Sequence, residues 1–135
     1  MKRVVVSMVV ISCLFMLSCG SLLTLTEADA WLSSKAGNQS PAVNISGKWQ
    51  DALEEGWGMA QLDQKGSDVT GTIERYSIKG VVNGNSIYLV MFHIDIVDFT
   101  ANLEVIDANE LKGNYYSSRD KEQAIPKPMV LKRVK

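Results

Sequence analysis

From Gly47 onward the apolar residues recur at every second position, and turn-forming residues interrupt them about every eight to twelve positions. A period of two places alternate side chains on opposite faces of an extended strand, and turns at that spacing leave room for strands and short hairpins but not for helices. Eight strands are expected, at about 47–52, 57–64, 68–74, 78–83, 86–92, 97–106, 110–117 and 128–134. Their turns have a chemical basis, since "QKGSD", "NGN" and "DAN" supply residues that accept positive φ. The stretch 97–106 alternates most cleanly. Val97, Phe99, Ala101, Leu103 and Val105 share the core face, and Asp98, Thr100, Asn102 and Glu104 face water. "SIYLVMF", from Ser86 to Phe92, is apolar on both faces, so its second face needs a cover: a helix around Trp31, a partner protein or a lipid surface. Eight meandering strands on so short a segment close most simply into an antiparallel up-and-down barrel, which removes the edges that an open sheet leaves unpaired. The expected fold is therefore all-β over residues 44–135.

The N-terminus is built differently. Lys2 and Arg3 precede an apolar run from Val4 to Leu17, the layout of a secretory signal. "MLSC" resembles the lipobox of bacterial lipoproteins, which implies that Cys19 becomes the lipidated first residue and that the chain attaches to a membrane. Gly20, where an aspartate would retain such a protein at the inner membrane, implies an outer-membrane address facing the periplasm. A second cut is available at "TEADA": Ala28 and Ala30 fit ordinary signal peptidase and would release a soluble chain starting at Trp31. The expected organisation is a signal peptide at 1–18, a lipidated N-terminus with short helix and linker at 19–43, and the barrel at 44–135. Thr26 is the expected N-cap of that helix, Trp31 and Leu32 its apolar side and Gly37 its stop; a plain tether is the alternative.

Within the barrel segment, "GKW" at Gly47–Trp49 resembles the first strand of lipocalin and avidin barrels, and "LKRV" resembles their last. The resemblance implies that Arg133 lies across Trp49 and seals the barrel floor. "SDVTGTI" and "ELKGNYYSS" are similar to the repeated strand pattern of avidins, but the tryptophans that wall their vitamin pocket have no counterparts, so biotin is not implied.

The chemistry available to the chain is limited. Fourteen basic and fifteen acidic residues give a net charge of −1, so no nucleic-acid partner is expected. Both cysteines, Cys13 and Cys19, fall in the leader, which leaves the domain without a disulfide or thiolate site. His93, Asp95 and Asp98 are ligand types for a divalent ion, but they read as a polar hairpin tip, and no metal or other cofactor is expected. Asp51, Glu54 and Glu55 cluster in the first loop, where carboxylates ordinarily solvate. With no nucleophile elbow, P-loop or zinc-protease motif, the chain reads as no enzyme. Trp57, Tyr76, Tyr88 and Tyr115 are candidates to line a barrel mouth that holds a small apolar ligand, with Tyr115 inward and Tyr116 outward. The alternative is a barrel filled by its own side chains, whose outer face, loops and helix recognise an envelope protein or inhibit an enzyme. The loop "SSRDKEQAIPKP" would then serve as lid or partner-binding tip.

Overall fold

Each period-two segment forms a strand in the structure, a computed structural model that describes residues 23–118 and 125–135. The signal segment, Cys19 and residues 119–124 of the long loop lie outside the described residues. In chain order the elements are β1 (Leu23–Thr24), α1 (Leu25–Lys35), β2 (Gly47–Asp51), β3 (Met59–Lys65), β4 (Asp68–Ile73), β5 (Tyr76–Asn83), β6 (Ser86–His93), β7 (Ile96–Asp107), β8 (Glu110–Ser117) and β9 (Lys127–Arg133). From β2 to β9 every strand pairs antiparallel with the next, and β9 returns to β2 with Gln50 opposite Lys132, so the eight strands close. The lower end carries the tight turns at Gly66, Gly84 and Ala108–Asn109. The upper end carries loop 52–58, the turns at Glu74–Arg75 and Ile94–Asp95, and the approach to β9.

The interior is filled. Trp49, Leu62, Ile73, Leu89, Leu103 and Leu131 are each buried to within 1%, and burying a side chain of that size stabilises the fold by roughly 1.5–3 kcal/mol. Glycines allow the strands to coil this tightly: at Gly113 a Cβ would stand 2.0 Å from the backbone oxygen of Asn102 on β7.

Two turns depart from expectation. Gly66 and Gly84 take φ 60, the turn chemistry read from the sequence, but Glu74 at φ 49 and Ile94 at φ 57 occupy the matching position in the β4–β5 and β6–β7 hairpins without being glycine. A β-bulge also corrects the reading of the long strand. Opposite Met91 and Phe92 stand Phe99 and Val97, which leaves Asp98 as the extra residue. The bulge reverses the alternation, so Val97 faces outward while Phe99, Ala101 and Leu103 face inward.

That outward Val97 meets the helix. Ala28 and Leu32 of α1 are buried against Val81, Val90 and Val97, and Trp31 meets Tyr88 edge to face at 5.9 Å. Of the three covers considered for the second face of β6, the helix is the one present. It begins earlier than expected: Thr24, not Thr26, is the N-cap, and its hydroxyl accepts from the Glu27 N–H at 3.2 Å. Pairing of Thr24 with Ile96 holds Thr24 extended, the conformation an N-cap requires. An 11-residue helix is marginal alone, and its docked apolar face supplies what propensity cannot.

Candidate functional site

The site begins with Asp51, the last residue of β2, which points inward at the upper end and is buried. Its carboxylate accepts from the Leu53 N–H at 2.9 Å and the Trp57 N–H at 3.0 Å, which folds loop 52–58 back over the barrel. Sequence reasoning placed Asp51 in an acidic cluster with Glu54 and Glu55. The structure separates them: Asp51 orders the loop, and the two glutamates are exposed. The strand expected from 57 starts at Met59, and Trp57 belongs to the loop that Asp51 holds.

Trp57 is thereby set at the centre of four rings. It meets Phe99 at 4.8 Å, Tyr115 at 5.2 Å and Tyr76 at 5.6 Å, each edge to face. Tyr76 and Tyr115 also meet Phe99 at 5.6 and 5.9 Å. Pairs of this geometry add about 0.5–1.5 kcal/mol beyond area burial, so the cluster is a rigid floor and not a loose set of rings. Above it lies an open recess of about 410 Å³, walled by Glu55, Glu74, Arg75 and Lys127. The Arg75 guanidinium donates to the Tyr76 hydroxyl at 3.2 Å, a contact that raises its pKa above the ordinary arginine value. The Glu74 carboxylate accepts from the Met59 N–H at 3.0 Å and closes one side. The Trp57 indole N–H is buried without an acceptor among the described residues.

Three of the four residues expected at the mouth, Trp57, Tyr76 and Tyr115, are therefore brought together. Tyr88 is not: it lies on the outer face beneath α1, against Trp31 and Lys35. Tyr115 packs against the core from the inner face of β8. Phe99 was missed because in sequence it stands among core residues of β7, and only the bulge beside it shows that it ends the inner row at the mouth.

At the lower end Arg133 covers Trp49, with its guanidinium carbon 4.4 Å from the ring centroid. The Trp49 indole donates to the Ile45 carbonyl at 2.9 Å, and Ile45 is itself fully buried as part of the floor. His93 and Asp95 are exposed at the β6–β7 tip while Asp98 is buried in the bulge, and among the described residues no three metal-ligating side chains converge. No described helix is long and apolar enough to cross a membrane. No family model, curated protein or solved structure matches the chain.

Proposed function

We propose that the chain is a lipid-anchored protein of the cell envelope, held through Cys19 at the outer membrane and facing the periplasm, whose barrel is a non-enzymatic binding module. Its ligand is a small apolar molecule seated in the upper recess on the rings of Trp57, Tyr76, Phe99 and Tyr115. The observation that carries this reading is the contrast between a filled barrel axis and one open, aromatic-floored recess. Aromatic rings supply apolar contact, and the mixed charges of Glu55, Glu74, Arg75 and Lys127 at the wall suit a ligand with a polar end. The Trp57 N–H, which finds no acceptor among the described residues, favours a ligand that brings one, since leaving a buried donor unsatisfied costs about 1–3 kcal/mol.

The packed interior also supports a second reading, in which the solid barrel recognises an envelope protein and the recess receives one of its side chains. On either reading the anchor is favoured over cleavage after Ala30. That cut falls inside α1 and would remove the fully buried Ala28 together with Asp29, which pairs with Lys79 at 2.6 Å.

Native mass spectrometry of protein purified from its own host's membranes tests the proposal. The expected spectrum shows a mature chain beginning at a lipidated Cys19 and carrying a small-molecule adduct that Trp57→Ala abolishes. A bound protein in place of the adduct selects the second reading, and a mature chain beginning at Trp31 refutes the anchor.

A further inference from the structure

We infer that the upper end of the barrel seats against the lipid bilayer, so that the aromatic recess opens onto the membrane surface. The inference rests on the reading of Cys19 as the lipid-bearing residue.

Among the described residues, seven large apolar side chains remain exposed, and five of them are at the upper end: Leu53, Met59, Ile94, Ile96 and Ile125. They come from three separate parts of the chain: loop 52–58 with the start of β3, the β6–β7 turn with the start of β7, and the approach to β9. The recess floored by Trp57, Tyr76, Phe99 and Tyr115 opens at this same end. Isolated exposed apolar residues need no explanation, but a set drawn from several loops onto one end of a barrel marks an interaction surface.

The chain outside the described residues indicates what covers it. Leu23 pairs with Val97 beside the β6–β7 turn, so the polypeptide enters the fold at this same end. Four residue steps separate Leu23 from Cys19, at most about 14 Å of extended chain. That reach keeps a lipid on Cys19 closer to the upper end than to the lower.

Ile94 adds an independent observation. It stands at φ 57 in the turn, where a β-branched residue is strained, and its side chain is 75% exposed. The β3–β4 and β5–β6 turns place glycine at the corresponding position. An isoleucine in that conformation with three quarters of its surface in solvent gains little from the rest of the protein, and it gains apolar burial from a bilayer.

Among the described residues, the exposed charges at this end, Glu54, Glu55, Glu74 and Asp95 against Arg75 and Lys127, are not net basic, so the contact is apolar and does not depend on anionic lipid. Trp57, Tyr76 and Tyr115 at the same end suit the depth of the headgroups.

The test places an environment-sensitive fluorophore on Ile94→Cys in the full, lipidated chain. Maturation discards Cys13 and lipid occupies Cys19, which makes the new thiol unique. Protein reconstituted in phosphatidylcholine vesicles, with and without nitroxide-labelled acyl chains, is compared with the same probe on Ile106→Cys, an exposed site at the lower end. The expected result is a blue-shifted probe at position 94, quenched at least threefold more strongly than at 106, and the same quenching when anionic lipid is added. A probe on Leu53→Cys, from a different loop, reads the same surface where the turn does not accept the label. Equal, weak quenching at 53, 94 and 106 overturns the inference, as does a probe shielded from iodide but untouched by the nitroxide lipid, which identifies a protein cover. The intact mass of the same sample reports the lipid separately. A chain without lipid removes the anchor reading, and the seating then stands or falls on whether added vesicles quench the probe at position 94.

Discussion

Arg133 stacks over Trp49, its partner across the β2–β9 seam, and at the same time donates to the carbonyls of Ser46, Asn44 and Ala108 at 2.7, 2.9 and 3.0 Å. The guanidinium thus closes the floor, the seam and the turn before β8 with one planar group. Gly47 belongs to the same device: it stands at φ 135, and a Cβ there would lie 2.9 Å from Arg133 Nη1. Trp49→Ala should cost about 3–5 kcal/mol as a large-to-small core change. Arg133→Ala should cost less, and Arg133→Lys should restore only part, because an ammonium neither stacks nor reaches three carbonyls in one plane. A double-mutant cycle on denaturant midpoints should give a Trp49–Arg133 coupling of about 0.5–2 kcal/mol. Coupling indistinguishable from zero would mean that the stack contributes nothing to closure.

Asp51 offers a test of how the recess is assembled. Asp51→Ala leaves the Leu53 and Trp57 N–H groups without their acceptor and should cost about 2 kcal/mol. Because the loop carries Trp57, the near-ultraviolet circular dichroism of the aromatic cluster should fall in the same variant. Glu54→Gln and Glu55→Gln, on exposed side chains, should stay within about 0.5 kcal/mol of the parent. An unchanged aromatic spectrum in Asp51→Ala would show that the rings hold the loop rather than the reverse.

Helix α1 sets its apolar face against an ion pair as the source of its docking. Leu32→Ala should cost about 2–4 kcal/mol, since Leu32 is buried in the cluster with Val81, Val90 and Val97 of β5, β6 and β7. Asp29→Asn should cost under about 1 kcal/mol, because both partners of the Asp29–Lys79 pair are nearly half exposed and solvent screens them. Urea midpoints for the two variants decide between these sources, and the reverse order would assign the docking to charge.

The barrel, its strand count and its closure were legible in the sequence because burial alternates with the pleat, a signal that each strand carries alone. The doubly apolar face of β6 announced a cover for the same reason, and Trp31 was its visible candidate. The exact mouth was not legible. Whether Tyr88 or Phe99 joins Trp57 depends on which face of the sheet each ring occupies, and the bulge at Asp98 fixes that for β7 through the pairing of Met91 with Phe99 and of Phe92 with Val97. Asp51 read as an ordinary acidic loop residue, since its role depends on two backbone donors that come near it only after the loop has folded. The turns at Glu74 and Ile94 were placed by the strand spacing, and the second by its polar residues, but no glycine or asparagine announced the positive φ at either position.

Ile94 is where stability and the proposed membrane contact part company. A left-handed backbone costs an L-residue about 1–2 kcal/mol, and Ile94 takes φ 57 with its side chain in solvent. Asparagine tolerates that conformation, so Ile94→Asn should raise stability by about 0.5–1.5 kcal/mol. Ile94→Gly should gain less, because the added freedom of the unfolded chain offsets part of the relief. Ile96→Asn is the control: Ile96 lies in β7 and is paired with His93 and Thr24, so loss of a β-branched residue there should lower stability slightly. Urea unfolding of the three variants, followed by far-ultraviolet circular dichroism, measures all of this without lipid. The same Ile94→Asn protein should then hold less firmly to phosphatidylcholine vesicles at its upper end, which would make the strain a stability given up for an apolar contact outside the chain. A fall of more than about half a kcal/mol in Ile94→Asn would show instead that the isoleucine stabilises the fold from within, and the turn would lose its place in the argument for a membrane-facing end.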